Sequence, residues 1–166
     1  SDLAVGITQA QLQLGSHQLE QCLATLLRLR KQAPQHPFIL KLLKNVYFKL
    51  EDWHQLSILV PELRRQRIAE AHELDELERE TWINLLAHTA DEIRRQSGSS
   101  QNIEQLKQHW DRLPSSMRRD ATIIHAYAEH LSNLGQQAQA ETLLRKVLRN
   151  HWDDLLVDLY GKVCGS

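Results

Sequence analysis

Between Pro34 and Leu63 the chain reads PQHPFILKLLKNVYFKLEDWHQLSILVPEL, and no other stretch constrains the fold as strongly. Leu40, Leu43, Tyr47 and Leu50 recur three and four residues apart, which places them on one face of a helix. Glu51-Asp52 interrupts that pattern, and Trp53, Leu56, Leu59 and Leu63 begin a second one. Two short helices joined by a tight turn have too little apolar surface to stand alone. They need similar hairpins stacked on either side.

The remaining sequence reads as those neighbours. Its hydrophobic content is 42% with only six Gly and four Pro in 166 residues, enough apolar material for an ordered core. Leu, Gln, Arg, Glu and Ala dominate and favour helix, and no run alternates apolar and polar residues over the length of a strand. The formal charge of -1 gives no global field to collect nucleic acid. Charge is nevertheless uneven. Residues 28 to 67 are basic, and residues 70 to 80 carry Glu70, Glu73, Asp75, Glu76, Glu78 and Glu80. Solvated helix faces account for this, as would a basic face for an acidic peptide or nucleic acid. Cys22 and Cys164 lie far apart without metal or redox spacing, and Cys22 reads as a small core residue. No stretch approaches the roughly 20 apolar residues of a membrane span. The chain enters helical sequence directly after Ser1-Asp2, which suggests a piece of a longer protein.

Along the chain, Leu3 to Leu14 predicts a first helix closed by Gly15-Ser16, and Leu19 to Arg30 a returning helix with Cys22, Leu23, Leu26, Leu27 and Leu29 inward. Pro37 suits a first helical turn, and Asp52 suits the cap of the helix beginning at Trp53. Pro61 predicts a kink or break near Leu59-Val60. Ala71 to Gln96 forms one long pattern, Ser97 to Ser100 a loop, and Ile103 to Leu113 a short return helix. Ser115-Ser116 opens another loop. A fourth hairpin turns at Leu134-Gly135, and Asp153 or Asp154 caps a last helix, Leu155 to Val163. Trp53, Trp82, Trp110, Trp152 and Tyr127 are expected as core wedges between helices.

The hairpins share a period of roughly 34 residues, the tetratricopeptide spacing. Pro37 to Glu70 and Ala121 to about Asp154 fit well, with Tyr127-Ala128, Leu131, Leu134-Gly135 and Ala140 at consensus places in the latter. The prediction is an all-α fold in which tetratricopeptide-type hairpins stack as a short right-handed α-solenoid. It treats residues 1–166 as a single domain, with hairpins at about 2–34, 37–68, 71–113 and 118–150 and a closing helix at 153–163.

Three segments, DWHQLSILVPELRR (Asp52 to Arg65), HWDRLP (His109 to Pro114) and WDDLLVDLYG (Trp152 to Gly161), resemble the HemY family. These are proteobacterial inner-membrane proteins associated with a late step of protoheme synthesis, with membrane-spanning helices followed by a tetratricopeptide region. The resemblance covers nearly the whole chain and implies that it is part of that region, soluble and on the cytoplasmic side, with the membrane reached through N-terminal helices outside it. It implies a link to haem synthesis or handling and a protein partner among haem-biosynthesis enzymes, without a catalytic residue to carry across. The flavin-dependent oxidase that shares the name is unrelated, and no GxGxxG follows a strand here.

No residues converge on chemistry. Nine histidines are present, none in HExxH or a Cys/His spacing, and no nucleophile elbow or triad is visible. The chain therefore reads as a non-enzyme, with no catalytic residue, no metal and no cofactor motif. His88 with Glu92 and His125 with Glu129 are spaced to touch on a helix. By resemblance to the tetratricopeptide fold, the groove-facing residues are Phe38, Lys41, Asn45, Phe48 and Lys49, joined later by Thr122, His125, Glu129 and Ser132. Lys41 and Asn45 match the first two residues of the carboxylate clamp by which some members of that fold hold a peptide C-terminus. The first reading is a scaffold that binds a protein partner and no nucleic acid. The alternatives are a module that binds haem or porphyrin directly, and a peptide-binding repeat unrelated to haem.

Overall fold

The computed structural model describes residues 2–96 and 103–165. Every regular element among them is helical, with no strand. The helices are α1 (Asp2–Gly15), α2 (Leu19–Gln32), α3 (Pro37–Lys49), α4 (Trp53–Arg65), α5 (Ala71–Arg95), α6 (Ile103–Arg112), α7 (Ser115–Arg118), α8 (Ala121–Asn133), α9 (Gln137–Asn150) and α10 (Asp154–Cys164). The all-α helical-hairpin fold expected from the periodicity is the fold observed. The chain divides into two compact units, residues 1–81 and 82–166.

In the first unit, α1 pairs with α2 and α3 with α4, and α3 also packs on α2 and α1. Capping sets where these helices begin. The His36 imidazole accepts from Phe38 N at 3.2 Å ahead of Pro37, and Asp52 Oδ1 accepts from Gln55 N at 3.2 Å. The core runs through Ala10, Cys22, Leu26, Leu40, Leu43, Tyr47, Leu56 and Leu63, each at most 5% exposed. Cys22 donates its S–H to Ala10 O at 3.3 Å, and burial pushes its thiol pKa up. Arg64 on α4 reaches Asp75 at 2.8 Å and the buried Glu78 at 3.2 Å, which ties α4 to the start of α5.

The same turn closes three hairpins, α1–α2, α3–α4 and α8–α9. Gln18 N donates to Gln13 O at 2.8 Å, Asp52 N to Tyr47 O at 3.0 Å and Gln136 N to Leu131 O at 2.8 Å. Just before each donor stands a residue in the left-handed region: His17 (φ 57), Glu51 (φ 56) and Gly135 (φ 84). The first two are 34 residues apart, so the period is present in the backbone as well as in the apolar pattern. The left-handed residue of the first turn is thus His17, while Gly15 still belongs to α1.

The second unit packs α8 against α9, and α10 against both. Asp120 caps α8 by accepting from Thr122 N and Ile123 N, and Asp153 caps α10 by accepting from Leu156 N at 3.2 Å. Trp110 stacks on Tyr127 with centroids 4.4 Å apart and planes 6° from parallel.

Four expectations fail, the first of them in part. The break expected near Pro61 does not occur: α4 continues to Arg65, with Pro61 exposed. Trp152 is 70% exposed and is no core wedge, because its indole N–H donates to Asp154 Oδ1 at 2.9 Å on the surface. Ser115-Ser116 lies in the helical turn α7 instead of a loop, with Pro114 at its N-cap. Leu27 is 40% exposed, one position off the buried Leu26 on the same helix. The predicted loop Ser97 to Ser100 lies outside the described residues.

Candidate functional site

The cleft of interest lies within the first unit and is built from two helices. α3 supplies Lys44, Asn45, Phe48 and Lys49 along one wall. The other wall is Ala69 and the first turns of α5, with Glu73, Leu74, Glu76, Leu77 and Glu80, and the space between is about 340 Å³. α5 starts there because α4 ends in its own left-handed turn, with Arg67 at φ 51 and Ile68 N donating to Leu63 O at 3.0 Å. The Arg64 contacts to Asp75 and Glu78 then hold that first stretch of α5 in place.

At the mouth stands Phe48, 38% exposed although it is a large apolar residue. It makes an edge-on contact with Trp53, with centroids 5.4 Å apart and planes at 88°, so its ring is held by the hairpin turn instead of swinging freely. Lys44 and Lys49 put positive charge on the α3 wall, and Glu73, Glu76 and Glu80 put negative charge opposite. The floor includes the apolar side chains of Leu74 and Leu77. A preformed apolar seat between walls of opposite sign suits recognition of a peptide segment. It offers no nucleophile–base pair.

Of the residues expected at a groove, the structure brings Asn45, Phe48 and Lys49 together. Lys41 is exposed on α3 but does not line the cleft, and Phe38 is partly buried against the first unit's core. His125 is half-buried and Glu129 exposed, both on α8 in the second unit. His88 Nε2 does meet Glu92 Oε1, at 3.2 Å on the exposed side of α5. Lys44 and the whole glutamate wall went unassigned in the sequence. The signal was present as the acidic run 70–80, yet only the turn at Arg67 brings that run opposite α3.

Elsewhere, the His130 side chain is largely buried with an Nδ1 that has no hydrogen-bond partner. Burial lowers its pKa, Arg94 acts in the same direction, and Glu129 and Asp91 oppose it. Among the described residues no group of three or more His, Cys, Asp and Glu is placed to hold a metal ion, and no helix is long and apolar enough to cross a membrane.

Helical hairpins joined by left-handed turns, two of those turns 34 residues apart, define a helical-repeat protein. The chain is similar to protein HemY of Escherichia coli strain K12, being 25% identical to it over 155 residues. The proteins HemY of Escherichia coli O157:H7 and of Shigella flexneri match at the same level. The match is distant but consistent: it takes in 93% of this chain, which spans only 37% of the length of those relatives. No family model matches the chain, and no solved structure matches it.

Proposed function

We propose that this chain is a non-catalytic repeat module that binds another protein through the cleft between α3 and α5, within a bacterial inner-membrane protein serving haem synthesis or handling. The observation that carries the binding role is the exposed Phe48, fixed against Trp53 and flanked by Lys44 and Lys49, facing Glu73, Glu76 and Glu80. An aromatic anchor in a partly desolvated seat, with charge around it, has the composition of an interface hot spot. The two walls select a segment that places an apolar side chain on Phe48 and Leu77, an acidic group toward the lysines and a basic group toward the glutamates. The haem context rests on the similarity to protein HemY, and a tetratricopeptide region on the cytoplasmic side of the membrane fits the same resemblance.

The test is capture of partners from membrane extract by the full-length protein. Phe48→Ala combined with Lys49→Glu is expected to weaken capture of the principal partner by about tenfold or more, on the scale of a lost hot spot. Lys41→Glu, on the same helix but outside the cleft, leaves capture unchanged. Equal capture by wild type and by the Phe48/Lys49 variant retires the cleft.

A further inference from the structure

We infer that the side of α1 carrying Val5 and Leu12 is a stacking face, covered in the full protein by a further helical hairpin of the same kind. The 34-residue register that relates His17 to Glu51 also relates Val5 to Ile39 and Leu12 to Val46. Ile39 and Val46 are 0% exposed, because α3 lays this face on the hairpin α1–α2. Val5 and Leu12 are each 68% exposed.

The second unit repeats the pattern independently. Counting from the N-caps, Ile39 and Val46 lie three and ten residues after His36, as Leu156 and Val163 lie after Asp153. Leu156 is 1% and Val163 7% exposed, and α10 lays them on the hairpin α8–α9. Ile123, three residues after the cap Asp120, is 0% exposed. On α3 and α10, then, the place held by Val5 and Leu12 is filled with apolar side chains and covered by the two helices of a hairpin, while on α8 the second position is the half-buried His130. Among the described residues, two large aliphatic side chains seven apart on one helix face are left in water on α1 alone. The occupant's chemistry follows from the fold. It is a pair of amphipathic helices presenting Leu, Cys and Ala-type side chains, as α1 and α2 present Ala10, Cys22 and Leu26. The matched relatives are long enough to supply it in the same chain, since this stretch accounts for 37% of their length.

The experiment uses the full-length protein, with accessible cysteines including Cys164 replaced by serine, and compares maleimide labelling of Leu12→Cys and Ile58→Cys. Ile58 is 57% exposed in the same unit and serves as the open reference. A covered face makes Leu12→Cys react about tenfold more slowly than Ile58→Cys, or slower still, as expected of a site reached only by local opening. Deleting the part of the protein that precedes Asp2 then restores fast labelling, while the melting of the remaining helices shows that they still fold. Equal rates in the full-length protein overturn the inference. So does protection that disappears on dilution, which assigns the face to a second copy, or protection that survives the deletion.

Discussion

Trp110 and Tyr127 lie ring on ring, 4.4 Å between centroids and 6° from parallel, joining α6 to α8. Tyr127 is 4% exposed, and burial, with Asp111 and Glu104 nearby, pushes its phenol pKa up to about 12. Tyr127→Ala is expected to lower stability by about 3–5 kcal/mol, the usual scale for truncating a buried aromatic. Tyr127→Phe avoids most of that loss, since the ring and its stacking survive. Urea midpoints of the two variants against wild type make the comparison. The alkaline limb follows from linkage. The folded pKa lies above the unfolded value, so the contribution is complete below pH ~10 and is lost as pH rises through about 12. Tyrosinate absorbance should show this phenol ionising only with unfolding or close to it.

Arg64 pairs at 3.2 Å with a buried carboxylate, that of Glu78, whose side chain is 8% exposed. Removing the guanidinium as Arg64→Ala strands that charge, with an expected cost of about 1–3 kcal/mol at neutral pH. Glu78→Gln in the same background recovers part of the loss, because a neutral amide is cheaper to bury unpaired. A double-mutant cycle on thermal unfolding measures the coupling. If Arg64→Ala melts like wild type, the tie between α4 and α5 contributes nothing.

Pro61 stands in the ninth position of a helix that runs through it. Pro61→Ala restores an amide for the Ser57 carbonyl and removes the ring from the helix interior. Stability should rise by about 1–3 kcal/mol, below the full host–guest penalty because the site is exposed and already relaxed. Chemical denaturation decides this, and a destabilised variant refutes the account of why the helix tolerates proline.

His130 gives the domain an acid-sensitive point. Its folded pKa is lowered by burial, so the unfolded chain binds a proton more readily. That contribution to stability is complete above the unfolded value near 6.5 and is lost as pH falls through the lower folded one. His130→Leu should flatten the fall in melting temperature between pH 7 and pH 5 while leaving the pH 8 value similar or higher. Parallel melting curves across that range for variant and wild type would contradict the assignment.

Apolar seams were readable because burial follows the three-and-four spacing directly: Leu40, Leu43, Leu56 and Leu63 all lie at 0% exposure. Caps were readable for the same local reason, as at Asp52 and Asp153. Trp152 misled because residue type says nothing of the hydrogen bond to Asp154 that holds the ring outside. Part of the candidate cleft was also legible. Asn45, Phe48 and Lys49 follow from the resemblance to the tetratricopeptide fold, but the glutamate wall depends on where α5 starts. That depends on a left-handed Arg67, a backbone state that its residue type does not announce.

The left-handed turns separate two properties that proteins usually change together. Gly135 adopts its φ without strain, whereas His17 and Glu51 hold the equivalent place with a Cβ, at a cost of about 1–2 kcal/mol each. Glycine at either position would relieve that strain, partly offset by about 0.4–1 kcal/mol from a freer unfolded chain. Neither residue lines the cleft or belongs to the buried core. Thermal margin can thus drift at these two positions while the surface offered to a partner stays as it is.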